Sequence, residues 1–227
     1  MAALVSSGTC RYALAIGMDT AQARPGDELE ATAAAGGAAF VLGPSDEATV
    51  SIEADVSYVS DTPDFFRRDG QTYPEHGRRF TGEPAYFHHT LEAARHLLSE
   101  TKLSVEDFAF AVFHHPTPAF PREAGKKLGF TLDQIAPALE VGGAIGNTYA
   151  GNWPLGLAAT LDVAEPGDRI LAVSYGSGAG ADAFCFRVTK HITEKRKQAM
   201  TVREILQRRR VITDFGQYQQ LAEARHD

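Results

Sequence analysis

Three segments of this sequence place polar residues beside apolar runs, where α/β proteins generally build their functional sites. The first is His114-His115, which directly follows the apolar run Phe108–Phe113. An imidazole fixed at the end of a buried strand can transfer a proton or donate a hydrogen bond to an oxyanion. A solvated or structural histidine is the alternative. Because neighbouring side chains on extended backbone point to opposite sides, we expect at most one of the two to function.

The other two segments are rich in glycine. Asn147, between Gly146 and Thr148, can present its side-chain amide to a carbonyl oxygen without crowding it, and a turn asparagine is an equally good interpretation. The segment Ser174–Gly180, SYGSGAG, separates two apolar runs, and its backbone N–H groups could form an oxyanion hole or simply a tight turn. It has neither the lysine of a phosphate-binding loop nor the setting of a dinucleotide-binding motif.

The sequence gives no support for metal or thiol chemistry. The histidine pairs His88-His89 and His114-His115 are direct neighbours, and CxxC and HExxH motifs are absent, so we predict no metal site. Cys10 and Cys185 are too few for a disulfide framework and favour a reducing compartment. Cys10 is a candidate nucleophile by residue type alone, because no neighbouring residue in the sequence would activate its thiol.

Apolar patterns alternate between strands and helices, which predicts an α/β layered fold. The predicted strands are Arg11–Gly17, buried on both faces, a strand within 31–43, Thr49–Ser60, Phe108–Phe113, Ile170–Ser174 and Ala183–Val188. The predicted helices are Tyr86–Glu100, Pro121–Leu128 and Leu155–Ala164, with a loop over Pro63–Tyr86. From Lys190 onward the chain is basic and favours helix, which we interpret as a solvated helix face.

Composition narrows the class of protein. The 227 residues are 44% hydrophobic and 22% charged, as in ordinary globular proteins, and the formal net charge of −7 argues against general nucleic-acid binding. We identify no signal peptide, since the N-terminus lacks a basic region followed by a long apolar run. We also find no uninterrupted apolar stretch of about 18 residues that could cross a membrane. A cytoplasmic location is therefore expected.

The order of the three segments is more specific than any one of them. FHHPTPAFP, then GNTYAGNWPLGLAATLD, then PGDRILAVSYGSGAGADAF resemble the C-terminal part of hydroxymethylglutaryl-CoA synthases. The archaeal-type branch of these thiolase-fold condensing enzymes is the most similar. Upstream, YALAIGMDTAQARPGDELEATAAAGGAAFVLG and HGRRFTGEPAYFHH resemble the same family, so that the resemblance runs from about Val5 to Val188.

The resemblance implies an acyltransferase of the mevalonate pathway of isoprenoid biosynthesis. Such an enzyme condenses acetyl-CoA with acetoacetyl-CoA through an acetyl-cysteine, a carbanion attack and a hydrolysis, and needs no cofactor besides its acyl-CoA substrates. His114 matches the histidine that holds and polarises the acetoacetyl carbonyl, and Asn147 matches the asparagine that assists it. The backbone N–H of Ser177 matches the oxyanion-hole position that faces the acyl-cysteine thioester. The candidate substrate-binding residues are Gly146, Tyr149, Gly176 and Gly178.

The sequence departs from the family pattern at several positions. The family's nucleophilic cysteine lies at a helix start before the strand YALAIG, and its glutamate general acid/base also comes earlier. MAALVSSG is similar to the end of that helix, and Cys10 does not match the nucleophile. His115 stands where related sequences often carry Gln, and Pro118-Ala119 replaces a Gly-Lys pair whose lysine helps to hold CoA phosphates. We therefore expect the chain to hold half of an active site.

The family's fold implies a division of this chain. The thiolase fold has two similar halves in five αβαβα layers, and we expect residues 1–45 to end the N-terminal half, residues 46–189 to form the C-terminal half, and residues 190–227 to form a basic helical extension. Alone, such a chain would expose unpaired sheet edges. We therefore expect a homo- or hetero-oligomer with a polypeptide that carries the N-terminal half and the nucleophilic cysteine. A truncated gene model or an excised fragment is the alternative.

Two other functions remain open at this point. One is a non-catalytic thiolase-like subunit that binds acyl-CoA or acts as a scaffold. The other is a ketoacyl synthase III-type condensing enzyme, which shares the histidine, the asparagine and the glycine loop. Related archaeal enzymes associate with a thiolase and with a small zinc-ribbon/OB-fold acyl-CoA-binding protein, so both are candidate partners, whereas nucleic acid and membranes are not.

Overall fold

The computed structural model describes residues 1–21, 23–209 and 211–223. Its α-helices are α1 (Ala2–Ser6), α2 (Phe87–Thr101), α3 (Ala119–Leu128), α4 (Leu132–Ile145), α5 (Asn152–Leu161), α6 (Ile192–Arg196), α7 (Val202–Gln207) and α8 (Phe215–Glu223). Its strands are β1 (Ala13–Thr20), β2 (Ala35–Leu42), β3 (Val50–Thr62), β4 (Phe65–Phe66), β5 (Glu75–His76), β6 (Phe110–Phe113), β7 (Arg169–Val173) and β8 (Gly178–Val188).

The largest sheet contains four strands in the order β3-β8-β7-β6. Successive residues of the inner strand β7 enter two different cores. Leu171 and Val173 pack with residues of α2, α3 and α4, whereas Ile170 and Ala172 pack with α5. Because helices cover both faces of β7, the sequence of this strand is a continuous apolar run. Because β6 pairs with β7 in parallel, the chain must cross over between them, and α3, α4 and α5 form that crossover.

Strands β1 and β2 form a separate antiparallel hairpin. One face of this hairpin packs against the turn that precedes α5, so closely that a Cβ on Gly36 would lie 2.9 Å from Thr148 Cγ2. The other face carries exposed apolar side chains: Leu14, Ile16 and Met18. The prediction that Arg11–Gly17 is buried on both faces is therefore wrong, because the described residues cover only one face. A short apolar run does not distinguish these two cases.

Several elements differ from the sequence prediction. Segment 63–86, expected to be a loop, contains the hairpin β4–β5 and a π-helical turn at Thr81–Tyr86. Helix α4 was not predicted, because Pro137 and two adjacent glycines interrupt its helical pattern. Helix α5 begins at Asn152 rather than at Leu155, which places Asn152 at a helix start. The predicted domain boundaries after 45 and 189 fall outside the regular elements, and the division itself stays a prediction.

The basic segment after Val188 packs partly against α5. The backbone N–H of Val202 donates to Asp162 Oδ2 at 2.6 Å, and Arg196 Nη2 donates to the Leu161 carbonyl at 3.0 Å. Part of the extension predicted for 190–227, at 210 and 224–227, lies outside the described residues. Within the described ranges, every helix is too short or too polar to cross a membrane.

The two histidines that follow β6 face opposite sides. The ring of His114 lies 6.2 Å from the ring of Tyr175, whereas the ring of His115 packs on Gly142 of α4. A Cβ at Gly142 would lie 2.6 Å from Cγ of His115, while a Cβ at Gly143 would meet nothing within 4 Å. Helix α4 can therefore approach the end of β6 only because residue 142 has no side chain.

We expect Gly142→Ala to lower the free energy of unfolding by about 1–3 kcal/mol, since the added methyl group must displace the His115 ring. Gly143→Ala is the matched control in the same helix. It should raise the free energy of unfolding by about 0.4–1 kcal/mol, because alanine restricts the unfolded chain. Chemical denaturation measures both values. Equal effects of the two substitutions would contradict the packing of His115 on α4.

Candidate active site

His114 is held by its backbone on the sheet and surrounded by aromatic rings. Its N–H donates to the Val173 carbonyl at 3.1 Å, which extends the β6–β7 pairing by one residue. Its carbonyl accepts the Tyr86 hydroxyl at 2.7 Å. The imidazole lies between the rings of Tyr86 and Tyr175, at 6.5 and 6.2 Å, and is largely buried. Neither ring nitrogen has a hydrogen-bond partner among the described residues, so both are available to a ligand.

Burial determines the charge of His114. Loss of hydration lowers the pKa of this imidazole to about 4, and the neighbouring His115 lowers it further. Burial also lowers the pKa of His115. The His114 ring is therefore neutral at neutral pH, with one N–H donor and one acceptor nitrogen. A neutral imidazole can donate a hydrogen bond to a carbonyl oxygen as negative charge develops on it.

Asn147 is a turn residue that keeps a free donor. Its Oδ1 accepts the N–H of Tyr149 at 2.9 Å, and Tyr149 has a positive φ of 45°. Its backbone N–H donates to the Thr32 carbonyl at 2.7 Å, which ties the turn to the segment before β2. The side-chain Nδ2 of Asn147 donates to none of the described residues. The turn interpretation and the functional interpretation are therefore compatible, since the turn fixes the oxygen and leaves the nitrogen free.

The glycine loop between β7 and β8 is closed by its own backbone. Gly176 N–H donates to the Gly180 carbonyl at 2.8 Å, and Gly180 N–H returns a bond to Gly176 at 3.0 Å. Gly178 has a φ of +75°, a conformation that favours glycine. Ser177 is exposed, and its N–H has no acceptor in the part of the chain that the structure describes. A fixed backbone N–H of this kind is suited to an oxyanion.

Asp64 fixes this loop, and sequence reasoning missed it. The side chain is only 1% exposed, and its Oδ1 accepts the N–H of Gly178 at 2.9 Å. Its carbonyl accepts the N–H of Gly77 at 2.6 Å, so that residue 64 also joins the two ends of the β4–β5 hairpin. Burial and the Asp64 charge raise the pKa of Tyr175 in the same loop. The sequence shows only an aspartate in the segment after the Thr49–Ser60 strand, and nothing in it indicates that this acid is buried or that Gly178 is its partner.

Asn152, also missed, connects the histidine segment to the asparagine turn. Its Oδ1 accepts the N–H of His115 at 2.8 Å, and its Nδ2 donates to the His115 carbonyl at 3.0 Å. The same Nδ2 lies 3.5 Å from Asn147 Oδ1. Asn152 is thus bonded directly to His115 and lies at the limit of hydrogen-bond distance from Asn147.

The other predicted residues lie around these groups. The Tyr149 ring is 5.7 Å from the Phe65 ring, and both line a cavity of about 210 Å³ together with Asp19 and Arg67. At Gly146, φ is +103° and a Cβ would lie 2.7 Å from the Thr32 carbonyl, so that this position accepts only glycine without a shift. The contacts of Tyr149 and Gly146 explain the conformation of the chain around Asn147. Substrate contacts of Gly146, Tyr149, Gly176 and Gly178 stay predictions.

Neither cysteine is placed as a nucleophile. Cys185 is fully buried, and burial together with its hydrogen bond to Glu53 raises the pKa of its thiol to about 12. Cys10 is a half-buried thiol that lies after the carboxyl end of α1 rather than at the start of a helix. Within the described segments, no group of three or more His, Cys, Asp or Glu side chains could hold a metal ion.

Known proteins share both this sequence and this architecture. Residues 98–188 match the family model described as 3-oxoacyl-[acyl-carrier-protein] synthase III C terminal. The chain is 56% identical over 217 residues to the hydroxymethylglutaryl-CoA synthase of Methanopyrus kandleri, which covers 96% of this chain and 61% of that protein. It is 55% identical to the enzyme of the same name from Methanothermobacter thermautotrophicus, covering 95% of this chain and 61% of the relative.

The structural comparison supports the predicted fold class. A solved structure of MvaS in complex with 3-hydroxy-3-methylglutaryl coenzyme A aligns with a TM-score of 0.79 at 20% identity, covering 97% of this chain and 62% of that one. The predicted α/β thiolase-like fold is confirmed. The chain spans about 61% of the length of the curated relatives that it matches.

We expect the chain to lose stability as the pH falls from 6.5 towards 4, because His114 resists protonation only when folded. In this window the unfolded state binds more protons, so the free energy of unfolding rises with pH. The contribution of His114 is at most about 3 kcal/mol. Urea unfolding at a series of pH values measures this slope, which should be shallower for His114→Gln. The exposed His96, changed to Gln, is the control. Equal slopes for wild type and His114→Gln would refute the assignment.

We expect Asp64→Ala to loosen the glycine loop, because the Gly178 N–H loses a charged, buried acceptor. Amide exchange at Gly178 should become about 10–100 times faster, in keeping with the loss of one such hydrogen bond. Exchange measured by NMR tests this. Asp61→Ala, an exposed acid near the end of β3, is the matched control and should leave the rate unchanged. Unchanged exchange in Asp64→Ala would rule out this role.

Proposed function

We propose that this chain, which belongs to the hydroxymethylglutaryl-CoA synthase family, forms part of an acyltransferase site that condenses acetyl-CoA with acetoacetyl-CoA. The observation that carries the proposal is a pair of unpartnered hydrogen-bond donors, the neutral imidazole of His114 and Nδ2 of Asn147. Both are held by backbone bonds on rigid elements, and Asn152 joins their segments.

The proposed step at these donors is the attack of an acetyl carbanion on the acetoacetyl ketone. The new C–C bond places negative charge on the ketone oxygen, and His114 and Asn147 donate hydrogen bonds to it. Because both donors are uncharged and fixed before the reaction, they stabilise this charge without reorganisation. The glutamate general acid/base of the missing segment would take the proton from the acetyl group to form the carbanion and return it to the alkoxide, while the neutral His114 ring keeps its N–H and only donates a hydrogen bond.

Ser177 would serve the other half of the reaction. Its free N–H would donate to the carbonyl oxygen of the acyl-cysteine thioester, which becomes an oxyanion when the acyl group is transferred or hydrolysed. The next N–H of the loop, that of Gly178, is already bonded to the buried carboxylate of Asp64 and would not be available to this oxygen. The loop therefore offers one N–H to substrate and uses the next one for its own support.

The nucleophilic cysteine and the glutamate general acid/base would come from a segment outside these 227 residues. The burial of Cys185 and the position of Cys10 support this division, as does the greater length of the relatives. The segment has an apolar surface to pack on, because Leu14, Ile16 and Met18 are 50%, 58% and 64% exposed on one face of the β1–β2 hairpin. Exposed apolar faces of this kind mark protein contacts.

Further features of the proposal concern partners and place. We propose acyl-CoA substrates and no separate cofactor. Ala119, at the start of α3, stands where the family pattern has a lysine that helps to hold the CoA phosphates, so those phosphates would need other contacts in this chain. An oligomer in the cytoplasm is proposed, with a thiolase and a zinc-ribbon/OB-fold protein as candidates for further association.

We expect the purified chain to be inactive alone and to form hydroxymethylglutaryl-CoA when the cysteine-bearing polypeptide is added. In that assembly, His114→Ala should lower kcat/KM about 10²-fold or more, the usual loss for a positioned donor. His96→Ala is the control on the surface of α2. Thioester turnover with each substrate is the measurement.

Three outcomes would contradict the proposal. Turnover by the chain alone that survives Cys10→Ser would refute the division of roles. Condensation with malonyl thioesters instead of acetoacetyl-CoA would favour a ketoacyl synthase III-type enzyme. Tight CoA binding without acetylation of any partner cysteine would favour a non-catalytic subunit.

A further inference from the structure

We infer that Asn152 is a positioning residue that fixes both donors of the site, His114 through the adjoining peptide and Asn147 through its side-chain oxygen. The role of Asn152 in catalysis rests on the proposed function, whereas its effect on the structure can be tested independently of that function. Asn152 is 6% exposed and is the first residue of α5, the helix that packs against β6.

The first contact replaces a missing strand partner. Strand β6 ends at Phe113, and beyond His114 the chain has no further pairing with β7. The N–H and the carbonyl of His115 would then be buried without partners, which is costly. Asn152 bonds to both, at 2.8 and 3.0 Å, as a neighbouring strand would. The peptide that follows His114 is thus fixed as firmly as the one before it.

The second contact sets the polarity of the Asn147 amide. Asn147 Oδ1 accepts the Tyr149 N–H at 2.9 Å and faces Nδ2 of Asn152 at 3.5 Å. Two donors directed at the same atom favour the rotamer in which that atom is oxygen. The other end, Nδ2, must then face away from Asn152, where it remains free to donate. Asn152 therefore contributes to the choice of which group Asn147 presents.

Few side chains can make these contacts together. A serine at 152 is too short to span both the N–H and the carbonyl of His115. An aspartate has the right shape and can accept the His115 N–H, but its second oxygen would replace Nδ2 and face both the His115 carbonyl and Asn147 Oδ1. These variants separate the two effects, since Ser removes the contacts without charge and Asp reverses only the donor end.

The first test uses NMR on the chain. In Asn152→Ser, the His115 amide should exchange at least about tenfold faster, since it loses its buried acceptor. The His114 ring should gain water, and its titration midpoint should move up from about 4 by about one pH unit or more. Thr160→Ala, which removes a buried hydroxyl bonded within the same helix, controls for general loosening of α5 and should change neither value.

The second test uses the active assembly. Asn152→Asp and Asn152→Ser should each lower kcat about 10–100-fold with a smaller change in KM, as expected when donors are displaced by a fraction of an ångström. Thr160→Ala should keep wild-type kinetics. If Asn152→Ser fails to fold by circular dichroism, Asn152→Asp carries both tests, with exchange at Tyr149 N–H as its readout.

The outcomes separate the inference from the proposed function. Unchanged His115 exchange and an unchanged His114 midpoint in Asn152→Ser would overturn the positioning role. A wild-type assembly without synthase activity would overturn the proposed function alone, because the NMR results stand without it. Perturbed NMR signals with wild-type kcat would also overturn the inference, since the contacts of Asn152 would then have no effect on the reaction.

Discussion

The close approach of α5 to two sheets is the constraint on which the site depends. At Gly156, a Cβ would lie 3.1 Å from Val112 Cγ1 of β6, and on the other side the Gly151 backbone touches the backbone of Gly36 in the β1–β2 hairpin. Contacts this close leave no room for α5 to slide against either sheet. The turn before α5 and the end of β6 therefore have one relative position. Asn147 and His114 keep their spacing for this reason.

The proposed chemistry depends on the burial of the two donor side chains and not on charged side chains. His114 is neutral because burial makes its cationic form costly, and Asn147 is neutral by nature. Donors without charge do not attract a competing anion into the site, yet they respond strongly to a charge that appears on the substrate. The acid of this region, Asp64, accepts a hydrogen bond from the backbone of the glycine loop at Gly178, next to the unpartnered N–H of Ser177.

Local patterns were enough to predict most regular elements and the three motifs of the site. The helical spacing at α2 and the apolar run of β7 are strong local signals, and the structure contains both. Asp64 and Asn152 were not predictable, because each acts on a partner far along the chain, Gly178 and His115. A sequence pattern also shows that a strand is apolar but does not show whether one or both of its faces are covered. For this reason the prediction that β1 is buried on both faces was wrong.

The parallel pairing of β6 with β7 has a consequence for how the site comes into being. The chain from 114 to 168 must cross over for Phe113 to lie beside Val173, and the contact between Asp64 and Gly178 joins residues that are still farther apart in the sequence. Such distant pairings form slowly and late in folding. We therefore expect the site to exist only once both long-range contacts have formed, so that a partly folded chain would lack the binding geometry.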